Sequence, residues 1–154
     1  MSNYQLSISV KSFSFKKNKI ATIETITKNN QLLGLNLNYN TLNATLYLTY
    51  NNLDNNLQTY LSEAKSITQK HAQMAREVSE RAFENETTKT FGKLYELSGP
   101  VASQLQFYIS DNKKHFLSGA LYFKTRPNYD SILPAVDYVK NDIVKLMESI
   151  HWRN

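Results

Sequence analysis

HFLSGALYFKT, residues 115–125, carries apolar side chains on both faces of an extended chain. Phe116, Ala120 and Tyr122 fall on one side, and Leu117, Leu121 and Phe123 on the other. A strand that is apolar on both sides belongs in the middle of a sheet covered on both sides. Its neighbours fit that frame. Val101, Leu105, Phe107 and Ile109 alternate with Ala102, Gln104, Gln106 and Tyr108, and a strand is read over Phe91 to Leu97. Ser98-Gly99-Pro100 and Asp111-Asn112-Lys113-Lys114 are turn chemistry.

The first half of the chain reads as further strands. Tyr4, Leu6, Ile8 and Val10 alternate with polar residues; after Lys11-Ser12 the phase slips by one and Phe13 and Phe15 become the inward pair. That slip marks a bulge or a new strand. A short Thr/Ile-rich run over 21–27 leads to a turn at Lys28-Asn29-Asn30-Gln31. Leu33, Leu35, Leu37 and Tyr39, then Leu42, Ala44, Leu46, Leu48 and Tyr50, continue the period of two, as a meander with one wet face.

Between Gly34 and Gly92 there is neither Gly nor Pro, and the period changes. Leu53, Leu57, Leu61, Ala64, Ile67, Thr68, His71, Ala75, Val78 and Ala82 recur at three and four. The spacing predicts one long helix of roughly 25–30 residues, capped by Asn52 or Asp54, with Leu57 buried mid-stripe. After Arg126-Pro127-Asn128, Asp130 or Ser131 caps a last helix to Ile150. Leu133, Val136, Val139, Ile143, Met147 and Ile150 would face inward, with Pro134 in the first turn. The expectation is one α+β domain over residues 1–154, with two long helices on a mostly antiparallel sheet of six to seven strands.

Composition narrows the function. The 154 residues are 41% hydrophobic and 20% charged, a globular balance. No cysteine is present, so disulfides, thiol nucleophiles and thiolate metal sites are excluded. With 4 glycines, a Gly-rich phosphate loop is not available. Asn is abundant and clusters in turns, which reads first as a coding bias. Lys and Arg number 18 against 13 acids, and Lys11, Lys16, Lys17, Lys19 and Lys28 concentrate that excess early in the chain. They read as a solvated edge strand, with a surface for an anionic partner as the competing account. No segment approaches the ~18–20 apolar residues of a membrane span, and the start lacks the apolar core and cleavage site of a signal peptide.

No metal-site spacing joins His71, His115 and His151, and no serine sits in a nucleophile elbow. His71, on its helix stripe, reads as a buried, hydrogen-bonded histidine, and His115, beside a turn, as a surface one. No cofactor and no metal are expected. The tyrosines are ordinary sheet material and are not interleaved with basic groups, which argues against nucleic acid.

From Ala44 the runs ATLYLTY (44–50), NNL (55–57), KH ending at His71, FGKLYEL (91–97), ASQLQFYISD (102–111), KHFLSGALYF (114–123) and RPNYDSILP (126–134), with Trp152 at the end, resemble the GldD family of gliding-motility lipoproteins. Phe13-Ser14-Phe15 also resembles the family's early FSF strand. The resemblance implies an envelope-associated protein at the periplasmic face of a membrane. It would be required for gliding and work with the type IX secretion machinery, and the family is not known as an enzyme. Family members begin with a lipoprotein signal ending in a cysteine, and carry cysteines near the early strands. Here the chain starts at Met1 with no such cysteine, and Ser12 and Leu37 stand near the early positions. The family helix also tends to be basic where Met74 sits. The strand–helix order is similar to the Mog1/PsbP-like α/β sandwiches, an analogy of topology that implies no function.

The leading expectation is therefore a non-catalytic component that acts through protein contacts with other gliding and secretion proteins. Its domain would be monomeric. The candidate protein-binding residues are Asp111, Lys113, His115, Arg126, Asn128, Tyr129 and Asp130, in two turn regions. The alternative is a small-ligand-binding domain or hydrolase using His115 with Asp111.

Overall fold

The computed structural model describes residues 6–10, 12–124 and 129–153. Its strands are β1 (Leu6–Ser9), β2 (Phe13–Lys17), β3 (Thr22–Lys28), β4 (Gln31–Tyr39), β5 (Ala44–Asn52), β6 (Glu77–Asn85), β7 (Thr90–Ser98), β8 (Leu105–Ser110), β9 (His115–Phe123) and β10 (His151–Trp152). The helices are α1 (Leu57–Ala72) and α2 (Tyr129–Ser149), with a short 3-10 turn at Asn40–Leu42. Seven strands form one antiparallel sheet in the order β3-β4-β5-β9-β8-β7-β6, so the doubly apolar strand β9 is its centre. A second, three-stranded sheet, β1-β2-β10, lies beside α2. This is the α+β architecture expected, with two helices and a mostly antiparallel sheet.

The phase slip near Ser12 resolves as two strands, not a bulge: β1 turns back to pair with β2, which buries Phe13 and Phe15. With them in the core are Leu35, Leu37 and Tyr39 of β4, Leu46 and Leu48 of β5, Phe107 and Ile109 of β8, and Leu117 and Leu121 of β9. Val136, Val139, Ile143, Leu146, Met147 and Ile150 supply the α2 side. Buried polar groups pin α2 in register. Tyr39 Oη donates to Asp142 Oδ2 at 2.7 Å, and Asn18 Nδ2 donates to both Asp142 oxygens and to Tyr138 Oη. Gly119 lets the Phe107 ring cross β9, since a Cβ there would stand 2.3 Å from Phe107 Cε1.

Several expectations are corrected. The long helix is 16 residues, and Glu77–Asn85 is the edge strand β6. Glu, Arg and Ala are good helix formers, and Val78 and Ala82 prolong the helical stripe by accident. As an edge strand, β6 is mostly exposed on both faces, so it carries no apolar alternation to reveal it. Within α1 only Thr68 is buried, Ile67 is 49% exposed, and Leu57 is its half-buried first residue. The residue at the head of α1 is Asn56, whose side chain accepts from Asp54 N instead of capping the helix. In α2, Ile132 takes the inward place given to Leu133, Asp130 lies inside the first turn, and Pro134 falls in the second. Leu33 is bulged out of the β3–β4 ladder and exposed. The strand expected from Val101 begins at Leu105. Lys17 is buried, its Nζ donating to the carbonyls of Asn18 and Ala21, and burial pulls its pKa down. The asparagines do structural work too: Asn29, Asn30, Asn43, Asn55 and Asn112 all adopt positive φ, a role glycine usually fills.

Candidate functional site

The β8–β9 turn is built by one carboxylate. Asp111 Oδ1 accepts from the main-chain N–H of Lys113 (3.0 Å), Lys114 (2.9 Å) and His115 (2.9 Å). Asn112, at φ 63, makes the left-handed step. Burial pushes the Asp111 carboxyl up, but the three amides outweigh it and hold the group below its ordinary range. Ser110 Oγ donates to the His115 carbonyl at 2.6 Å, closing the turn from within. The side chains of Lys113 and Lys114 stay exposed on this rigid loop.

His115 is not on the surface. It is 4% exposed, with its ring stacked on Trp152 at 5.1 Å and 11°. Trp152 arrives on β10, which pairs with β2, and its Nε1 donates to Thr90 Oγ1 at 3.1 Å. Phe13 packs edge-on to Trp152 and tilted on Tyr50. Tyr50 Oη lies 2.6 Å from His115 Nδ1 and donates to Asn52 Oδ1 at 2.9 Å. His115 Nε2 is buried with no hydrogen-bond partner among the described residues. Burial raises the Tyr50 pKa.

This arrangement separates Asp111 from the catalytic role considered for it. The carboxylate binds the main-chain N–H of His115, while the ring nitrogen Nδ1 is engaged by Tyr50. An acid–histidine dyad needs carboxylate-to-ring contact, which none of the described hydrogen bonds provides. Among the described residues no group of three or more His, Asp or Glu side chains could hold a metal ion.

Beside the turn lies a groove of about 560 Å³. Phe91 and Trp152 line it together with Thr88, Lys89, Lys113, Lys114, Asn112 and Asp111, whose carboxylate is already engaged by the three turn amides. An aromatic floor with ammonium groups at its rim suits an acidic segment carrying an apolar anchor. Of the residues singled out from sequence, the fold brings Asp111, Lys113 and His115 together. Arg126 and Asn128 lie outside the described residues. Tyr129 opens α2, and Asp130 is exposed in that helix's first turn, away from the turn described above in sequence and element. Sequence reasoning missed Tyr50, Phe91 and Trp152. Their positions are remote along the chain, and nothing local marks them as neighbours of residue 115. His71 is half-buried, with Nε2 3.1 Å from Tyr122 Oη, close to its expected state. Among the described residues no helix is long and apolar enough to cross a membrane.

A family profile described as gliding motility lipoprotein GldD matches residues 1–152. The curated proteins contain no match to the chain.

Proposed function

Because the chain belongs to the family of GldD gliding-motility lipoproteins, we propose that it is a non-catalytic component of a gliding apparatus, held at the periplasmic face of a membrane. It works there with the type IX secretion machinery, through protein–protein contacts. The observation that carries this reading is the match over residues 1–152, which spans the whole described fold. The docking surface we favour is the aromatic groove beside the Asp111–His115 turn. Its loop is pre-ordered by Asp111, so little ordering cost falls on binding. Its exposed lysines set the charge of the partner segment. The segment 126–130, with Arg126, Asn128, Tyr129 and Asp130, is the second surface, since Arg and Tyr are favoured interface anchors.

The test is recovery of partners from native membranes, using the full chain as bait. Lys89→Glu combined with Lys113→Glu and Lys114→Glu reverses the rim without touching the core. The expected result is loss of co-purifying gliding or secretion components with an unchanged melting temperature. Undiminished recovery moves the docking surface to the segment 126–130, which Arg126→Ala with Tyr129→Ala then examines. Recovery of no envelope component by the unaltered chain contradicts the function itself.

A further inference from the structure

The seven-stranded sheet ends in β3 on one side and β6 on the other, and the two edges are finished differently. The β3–β4 ladder is interrupted where Leu33 bulges out, and β3 ends on Lys28. A bulge and a lysine both keep an edge from pairing with another chain. β6 has neither. It runs nine residues, Glu77–Asn85, in unbroken register with β7, and contains no lysine or proline. Every second residue of such a strand turns its N–H and C=O away from the sheet. Among the described residues no strand takes up that outer row.

β6 is also uncovered on the α1 side. There α1 packs on β7, β8 and β9 over a hollow of about 210 Å³. Glu80 pairs with Tyr95, which lines that hollow, so Val78, Glu80, Ala82 and Glu84 share the α1 face. Val78 is 49% exposed, and a groove of about 420 Å³ runs between it and α1, with Leu61, Ala72 and Tyr108 among its walls. A strand added to β6 would lay alternate side chains beside Val78, at the mouth of this groove.

The charge of β6 chooses the occupant. The chain as a whole is +5, yet residues 77–85 carry Glu77, Glu80 and Glu84 against Arg81 alone. Lys93 engages Glu80 at 2.6 Å, while Glu77 and Glu84 are exposed, with no ion-pair partner among the described residues. A second copy is a poor fit. Two β6 strands related by a two-fold axis must pair residues of the same face. The registers that overlap most put Arg81 on Arg81, Glu80 on Glu80, or Glu80 on Glu84, and like charges directly opposite are destabilising. We propose that β6 takes up an extended, lysine- or arginine-bearing segment of another protein as an added strand. Main-chain hydrogen bonds along the open edge supply the grip, and cations on alternate residues face Glu80 and Glu84. The proposal requires neither the aromatic groove nor a role in gliding.

Amide hydrogen exchange of the full chain tests it, with the end-capped peptide Thr-Lys-Val-Lys-Val-Lys-Thr as probe and Thr-Glu-Val-Glu-Val-Glu-Thr as control. In the free chain, every second amide over 77–85 should exchange fast. Saturating lysine peptide should slow those amides at least about tenfold and leave 22–28 unchanged. The glutamate peptide should bind at least about tenfold more weakly, and Glu77→Lys with Glu84→Lys should weaken the lysine peptide by a similar factor. Both positions are exposed, and if the variant still fails to fold, the comparison of the two peptides carries the charge test. Absence of binding, or binding without protection of β6, overturns the proposal, as does protection at β3 instead. So does equal binding of the two peptides, unchanged affinity in the folded variant, or self-association of the chain through β6 in sedimentation.

Discussion

The two faces of the seven-stranded sheet are covered by helices of very different grip. On one face, α2 presents Val136, Val139, Ile143, Leu146 and Met147, with Ile150 just past its end, each at most 2% exposed, and its Asp142 is tied to Tyr39 and Asn18. On the other, α1 buries Thr68 alone and leaves Ile67 49% exposed over a bed of tyrosines. Both helices carry an apolar stripe in sequence. A stripe therefore says which side of a helix turns inward, and not how tightly that side is held. The tight face makes the core, while the loose face keeps a hollow.

The largest expected effect lies on the tight face. Ile143→Ala empties a site that is 0% exposed, and should destabilise by about 2–5 kcal/mol in chemical denaturation. A cost near zero would erase the contrast. Gly119→Ala attacks the same face differently. Its new methyl would meet Phe107 and Leu48, and overpacking of this kind costs about 1–3 kcal/mol. Unchanged stability would show that Phe107 can swing away. On the loose face, Ile67→Ala should cost less than about 0.5 kcal/mol, because the side chain is already half in water. A cost approaching that of Ile143→Ala would mean that α1 is packed as tightly as α2.

The smallest effect is one of pH. Burial under the loose face, and then Lys70, hold the His71 pKa below its ordinary 6.5. The unfolded chain takes up that proton first as pH falls. Stability should decline as pH drops through about 6.5 toward the lower folded pKa, and His71→Gln should remove that part of the slope. An unchanged slope in the variant would assign the pH dependence to other groups.

Much of the tight face was legible in sequence, because burial there leaves a periodic trace. The doubly apolar β9 reads as central, and it is; the slip before Phe13 reads as a change of strand or a bulge, and a new strand begins there. Ile132 and Leu133 are adjacent apolar residues, and the packing of α2 along its whole length decides which turns inward. The loose side was harder. Edge strand β6 is solvated on both faces, so helix-forming residues and a chance stripe outweigh its true state. The site was legible only in its local part. Asp111-Asn112 announces a turn, whereas the burial of His115 depends on Tyr50 and Trp152, 65 and 37 positions away, which converge only when the C-terminal strand docks on β2.

Native-state hydrogen exchange, read amide by amide, tests the contrast between the faces most directly. Amides of α1 over 61–72 should exchange through local opening, at free energies well below that of global unfolding. Amides of α2 over 136–147 should exchange only when the whole domain unfolds. A single opening free energy shared by both helices would contradict the account, since it would place α1 in the same cooperative unit as the core.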